Sequence, residues 1–151
     1  MSDTSKDRLR LWLKVLKATR AVESEIRENL RNDFATTLPR FDVMAALMQH
    51  EDGLKMSELS GVLKVSNGNV TGIVERLVED GHVLREKVAG DRRASRVRLT
   101  GQGREEFTRQ AAAHEAWIDR IFQDVSHEDA QRVAAALDAV ARQTGKGEKD
   151  R

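Results

Sequence analysis

The sequence contains no cysteine. That excludes a disulfide scaffold, a thiolate zinc site, an iron–sulfur centre and a cysteine-based redox switch. Proline occurs once in 151 residues, and the abundance of Ala, Leu, Glu, Arg and Lys favours helices. No apolar run approaches the roughly 18–20 residues needed to span a bilayer. Residues 1–20 alternate charged and apolar side chains, unlike a signal peptide, so a soluble cytoplasmic protein without membrane contact is expected. A dominant charge sign is lacking too, since 26 Lys and Arg stand against 25 Asp and Glu. There is no nucleophile elbow, Walker A loop or Rossmann fingerprint, so no enzyme and no cofactor are expected. His50, His82, His114 and His127 form no pair at helical spacing, which gives no sequence basis for a metal site.

What is present begins with a local cluster that the net charge hides. Residues 91–98 (DRRASRVR) hold Arg92, Arg93, Arg96 and Arg98 against a single Asp. Such a cluster acts locally, because a Debye length is only about 8–10 Å at physiological salt. Elsewhere the chain reads as amphipathic helices. Leu9, Trp12, Leu13, Leu16, Val22, Ile26 and Leu30 recur mostly at three and four residues, predicting one long helix that needs a partner within the chain or across a dimer. Thr37 is a good N-cap for a second helix with Pro39 in its first turn, and residues 51–53 stop it. Residues 56–63 predict a short third helix, 64–65 a turn, and Ser66 a cap for a fourth helix over 67–80, with Gly81 at its C′ position.

The period then changes to two. Residues 83–88 and 95–100 read as strands joined by a turn over 89–92, with Val97 and Leu99 on one face and Arg96 and Arg98 on the other. Gly101 and Gly103 end the second strand. Two helices follow, over about 102–124 and from Ser126 onward, and residues 145–151 read as a disordered tail. The fold class is therefore mainly α with a small antiparallel β-hairpin. Its segments are an N-terminal helix (1–36), a helix-turn-helix with its hairpin (37–101), C-terminal helices (102–144) and the tail.

Two short helices followed by a basic hairpin make a winged helix-turn-helix, whose second helix enters the major groove. Val70, Ile73, Val74 and Leu77 would seat that helix on the core. Gly68, Asn69, Thr71, Gly72, Glu75 and Arg76 would face outward. Asn can bond adenine bidentately and the Thr methyl can touch a thymine methyl. The expected DNA contacts are Ser66, Asn67, Gly68, Asn69, Thr71, Arg76, Arg92, Arg93 and Arg96. The alternatives are a solvated helix face and a solubilising hairpin, in a protein-interaction adaptor without specific DNA binding.

From about residue 9 to residue 141 the chain resembles the MarR family of bacterial transcription regulators. Asp91, Arg93, Val97, Leu99, Thr100 and Gly103 match the family wing pattern D-x-R-x-x-x-(apolar)-x-L-T-x-x-G, and SNGNVTGIVERLVEDGHVLR (66–85) is also typical. The resemblance implies a homodimer joined through an N-terminal dimerisation helix (1–36) and C-terminal dimerisation helices (102–144), bound to a pseudo-palindromic double-stranded operator, with the winged helix-turn-helix (37–101) between them. It implies an Asp91–Arg93 pair shaping the wing tip, and Arg93, with Arg92, entering the minor groove. It also implies release by a small-molecule effector, most often an aromatic carboxylate; residues 8–20 resemble regulators responding to aromatic acyl-CoA thioesters. Trp12, Leu16, Phe41 and Met44 could line such a pocket, with Arg8, Arg10, Lys14 or Arg20 meeting carboxylate or phosphate groups. The other reading of these residues is dimer core and solvated charge. Arg40 stands where many relatives carry Gln, and Gly72 is an unfavourable mid-helix residue, about 1 kcal/mol worse than Ala.

Overall fold

In the computed structural model, the long helix foreseen from the 3.6-residue period runs further than its apolar stripe. α1 spans Asp3–Phe34, capped by the Ser2 hydroxyl, which accepts from the Ser5 amide at 3.2 Å. It ends at Ala35, whose φ of 51° is left-handed. The structure describes residues 2–63 and 67–149, with the side chains of residues 67, 68, 92, 93 and 146–149 left aside. Predictions for residues 64–66, including the Ser66 cap, lie outside the described residues.

Along the chain follow α2 (Leu38–Met48), β1 (Leu54–Lys55), α3 (Met56–Leu63), α4 (Asn67–Glu79), β2 (Val83–Val88), β3 (Asp91–Leu99), α5 (Gly101–Ile121) and α6 (His127–Lys149). The chain divides into two compact units, Met1–Trp117 and Ile118–Arg151. None of the described helices is long and apolar enough to cross a membrane.

In the first unit, α2 packs on α3, α4 and β3. Val43, Met44, Leu47, Leu59, Val70, Val74 and Val97 are fully enclosed there. Phe41 extends this core towards α5, with its ring 5.3 Å from Phe107 and 4.9 Å from His114. Phe34 of α1 meets Trp117 edge-on at 6.1 Å. Ile26 and Leu30 are buried, but Leu9, Trp12 and Leu13 of the same helix are each more than half exposed. In the second unit Phe122, Val125, Val133, Leu137 and Val140 are exposed.

Three local predictions are met at the atomic level. Thr37 caps α2, its hydroxyl accepting from the Arg40 amide at 3.3 Å. Gly81, at φ 79°, closes α4: the His82 amide donates to Leu77 O and the Gly81 amide to Val78 O, both at 3.0 Å. That pair of bonds is the Schellman arrangement, which a glycine adopts without a Cβ clash. The Ser126 hydroxyl accepts from the Asp129 amide at 3.1 Å at the start of α6.

Other expectations need correcting. The hairpin is part of a three-stranded antiparallel sheet, ordered β1-β3-β2, with Leu54 opposite Val97. A two-residue strand has no periodicity to read. The turn is only Ala89-Gly90, because Gly90 at φ 83° turns the chain tightly enough for Asp91 to pair with Val88. α5 begins at Gly101, within one residue of the expected start, and ends at Ile121 rather than near residue 124. α6 continues to Lys149, through the segment expected to be a disordered tail. Extending a nucleated helix adds one hydrogen bond per residue, which lets it run past two glycines.

Candidate nucleic-acid interface

α4 is held by one side. Val70, Val74 and Leu77, at i, i+4 and i+7, are 0–1% exposed. Asn69, Gly72, Glu75 and Arg76 are exposed on the opposite side, as their spacing requires. Ile73 and Thr71 are intermediate rather than belonging cleanly to one face. Arg76 makes an exposed ion pair with Asp80 at 3.5 Å, one turn on. Asn67 and Gly68 lie in the first turn of α4, and their side chains lie outside the described residues.

The wing is built from the register of β2 and β3. Val83 pairs with Leu99, and the pairing proceeds in step to Lys87 and Ser95. It then jumps, so that Val88 faces Asp91. Residues 92–94 therefore have no counterpart on β2, and Arg92 and Arg93 sit on this insertion at the tip. Their side chains, and with them the expected Asp91–Arg93 pair, lie outside the described residues. Further down, the arginines have structural partners. The Arg98 guanidinium donates to Glu86 Oε1 at 2.9 and 3.2 Å. Arg96 Nη1 donates to the Gly53 carbonyl at 3.2 Å, and Arg85 Nε to Ser95 Oγ at 3.0 Å. Arg96 thus fastens the wing to the turn before β1.

The base of the wing is locked to α5 by Thr100. Its hydroxyl donates to Gly81 O at 2.7 Å and accepts from the Gly103 amide at 2.9 Å. Its backbone amide donates to His82 O at 3.0 Å. A Cβ at Gly103 would overlap that same His82 carbonyl. Thr and Gly are thus needed here to bring the end of α4, the end of β3 and the start of α5 together.

Beside the outward face of α4 lies a groove of about 650 Å³, lined by Thr37, Pro39 and Arg40 of the α2 start and by Asn69, Gly72, Ile73 and Arg76 of α4. Nothing in the local sequence gives Thr37, Pro39 or Arg40 a functional part. Thr37 and Pro39 signal the start of a helix and Arg40 departs from the family's Gln, but the meeting of two helix faces is not a property of either segment.

The residues considered for an effector pocket have contrasting surroundings. Met44 is wholly enclosed and Phe41 is 7% exposed. Leu16 is half-buried, and Arg8, Trp12 and Arg20 are exposed on α1. Next to Phe41, Asp42 is pushed above the ordinary aspartate value of 3.8, first by burial and then by Glu23, against the opposing pull of His114 and Arg27. Among the described residues no three His, Asp or Glu side chains gather as metal ligands would.

This architecture recurs in known proteins. The MarR family model matches residues 36–95. A MarR family transcriptional regulator from Silicibacter pomeroyi is 34% identical, with 95% of this chain and 99% of that one covered at a TM-score of 0.79. The HTH-type transcriptional regulator YfiV of Bacillus subtilis is 29% identical over 132 residues, 87% of this chain and 79% of that protein. In fold alone, the chain matches a mutant E. coli MarR complexed with operator DNA, at 21% identity, with 92% and 99% of the two chains covered and a TM-score of 0.76. The outward-facing α4, the arginine-tipped wing and these likenesses agree, and the chain belongs to the MarR family of winged helix-turn-helix, DNA-binding transcriptional regulators.

Proposed function

We propose that the protein is a cytoplasmic homodimeric repressor that reads a pseudo-palindromic double-stranded operator and leaves it when a small effector binds. The observation that carries this reading is the pairing, on one unit, of a recognition helix held from behind with a two-arginine insertion at the wing tip. Asn69 and Thr71 then read base edges from α4, joined by Ser66, Asn67 and Gly68 at its start and by Arg76 on phosphate. Arg93, with Arg92, enters the minor groove, where narrow tracts concentrate negative potential. Arg96 both positions the wing and adds charge. The operator complex of the E. coli relative supports a DNA partner of this kind.

A second copy of the chain is the partner that suits the exposed apolar residues of α1 and of the second unit. A two-fold pair presents two α4 helices to a site with matching symmetry. The effector is a small aromatic carboxylate or an aromatic acyl-CoA thioester. Arg8 and Arg20 offer charge, Trp12 and Leu16 apolar surface, and Phe41 and Met44 the apolar floor. Because Met44 has no exposed surface, an effector reaches it only by opening the packing around α2, and α2 packs directly on α4. The effector favours the released state only by its affinity difference between the two states.

Arg93→Ala tests the DNA reading. Operator affinity should fall and its dependence on salt become shallower by about one unit of slope. Unchanged binding and slope would reject the wing contact. Asn69→Ala should lower affinity for operator more than for random DNA, and an equal loss on both would reject base readout by Asn69.

A further inference from the structure

The first half of α1 carries charge of one sign. Residues 6–20 hold six cations against one acid, Asp7, and no acid lies between Arg10 and Arg20. Lys6, Arg10, Lys14 and Lys17 follow one another at steps of four, four and three. At about 100° per residue they fall within about 80° of the helix circumference and form a straight row about 16 Å long. All four are exposed. Among the described residues Arg10 has one ion-pair partner, Asp7 at 2.8 Å, and Lys6, Lys14 and Lys17 have none. The second half of the same helix is built otherwise. Glu23, Glu25, Glu28 and Asp33 are interspersed with Arg27 and Arg31, and Arg27 pairs with Glu23 at 3.3 Å. Like charges one turn apart repel and weaken a helix, and cations near a helix N-terminus oppose its dipole. A face that only keeps the protein dissolved mixes its signs, as the second half does. An unmixed row that costs helix stability points to an anionic partner.

The row lies opposite the apolar side of α1. Ile26 and Leu30, buried in the first unit, mark that side, and Trp12 stands in line with Leu30, about five turns away. A second copy that covers Trp12 therefore leaves the row in water. A lipid surface would take hold through the Trp12 side and turn the row away from its headgroups. A DNA strand winds round its duplex, so a straight row meets only a few of its phosphates. Another helix has the same pitch as α1, and acids at four- and three-residue steps on one of its faces come opposite these cations one by one. We propose that the row of Lys6, Arg10, Lys14 and Lys17 is a docking surface for an acidic helix of another protein, with Asp or Glu repeated at those steps along one face. Because the row is exposed, its charges set partner choice and encounter rate more than affinity, and salt weakens the contact. The row lies on α1, away from α4 and the wing, so the proposal stands apart from the DNA reading.

The test uses the full chain and a labelled, alanine-rich helical peptide with Glu at those steps along one face. A control peptide has the same composition with its Glu spread around the helix. By fluorescence anisotropy at low salt, the first peptide should bind at least about tenfold more tightly than the control. The double variant Lys14→Glu, Lys17→Glu should bind the first peptide at least about tenfold more weakly than wild type. It should melt at or above the wild-type Tm, since repulsion along the helix is relieved, and keep the wild-type subunit mass. The pair Lys14→Gln, Lys17→Gln removes charge without reversing it and should give a smaller loss in the same direction. Equal binding of the two peptides, or unchanged binding in both variants, overturns the proposal. A loss of peptide binding that comes only with a fall in Tm overturns it too. Random duplex DNA and phosphatidylglycerol vesicles are run beside the peptides. If either binds wild type and loses that binding in the variants as fully as the peptide does, the row holds any polyanion and the acidic-helix assignment falls.

Discussion

Gly103 and Ala35 show how much a single backbone position can decide. At Gly103 the His82 carbonyl occupies the place a Cβ would take. Gly103→Ala should therefore destabilise the protein by about 1–3 kcal/mol or more, read as a lower urea midpoint with an unchanged m-value. Ala35 is the opposite case. It is the one described non-glycine residue with positive φ, at the C-terminal end of α1. A Cβ there costs about 1–2 kcal/mol, so Ala35→Gly should stabilise the fold by roughly 0.5–1 kcal/mol after the extra chain entropy of glycine. Glu106 gives a pH signature. Burial opposes its charge, but hydrogen bonds from Arg109 and Gln110, with the Arg109 and His82 charges, bring its pKa below the ordinary 4.5. A lowered folded pKa contributes stability above pH 4.5 that is lost as pH falls through the folded value. Glu106→Gln should therefore lower Tm at pH 7 and lose less Tm than wild type on acidification below pH 4.5. Of these positions, only Gly103 was visible beforehand, as a letter in the wing pattern; the carbonyl that requires it lies 21 residues earlier in the chain.

Among the elements, the wing divides its arginines by role. Arg96 holds the Gly53 carbonyl, while Arg93 rides on the unpaired insertion. Arg96→Ala should cost about 0.5–1.5 kcal/mol of stability in addition to DNA affinity. Arg93→Ala should leave stability within about 0.5 kcal/mol and affect DNA binding alone. Thermal melts run beside binding assays separate the two. The alternation of Val97 and Leu99 with Arg96 and Arg98 was legible as a strand, because side-chain direction follows the two-residue period. The jump in register at Val88 was not, because pairing depends on which residues of the other strand arrive opposite. The same holds for β1, whose two residues are a strand only because β3 accepts them. α4 was legible almost residue by residue, from its seat at Val70, Val74 and Leu77 to its stop at Gly81.

For the whole molecule, the unspent apolar surface sets the expectation. Leu9, Trp12 and Leu13 in the first unit, and Val133, Leu137 and Val140 in the second, are 42–60% exposed. Apolar burial is worth roughly 25 cal/mol per Å², so covering both sets with a second copy would stabilise each subunit substantially. Tm should then rise with protein concentration, and Leu137→Glu should abolish that rise and sediment as a single subunit. A concentration-independent Tm together with a single-subunit mass for the wild-type protein would refute the homodimer.

The amino-acid order by itself determined the helices, the caps at Thr37, Gly81 and Ser126, the basic hairpin and the outward polar face of α4. Each follows from interactions within a few residues, where period and turn chemistry act directly. Only the tertiary structure decided that Thr100 and Gly103 pin the wing to α5, that Arg96 is half structural, that Met44 is sealed, and that α2 and α4 enclose a groove over Gly72. Those facts arise where segments far apart in the chain approach within van der Waals distance, and no local pattern carries that information.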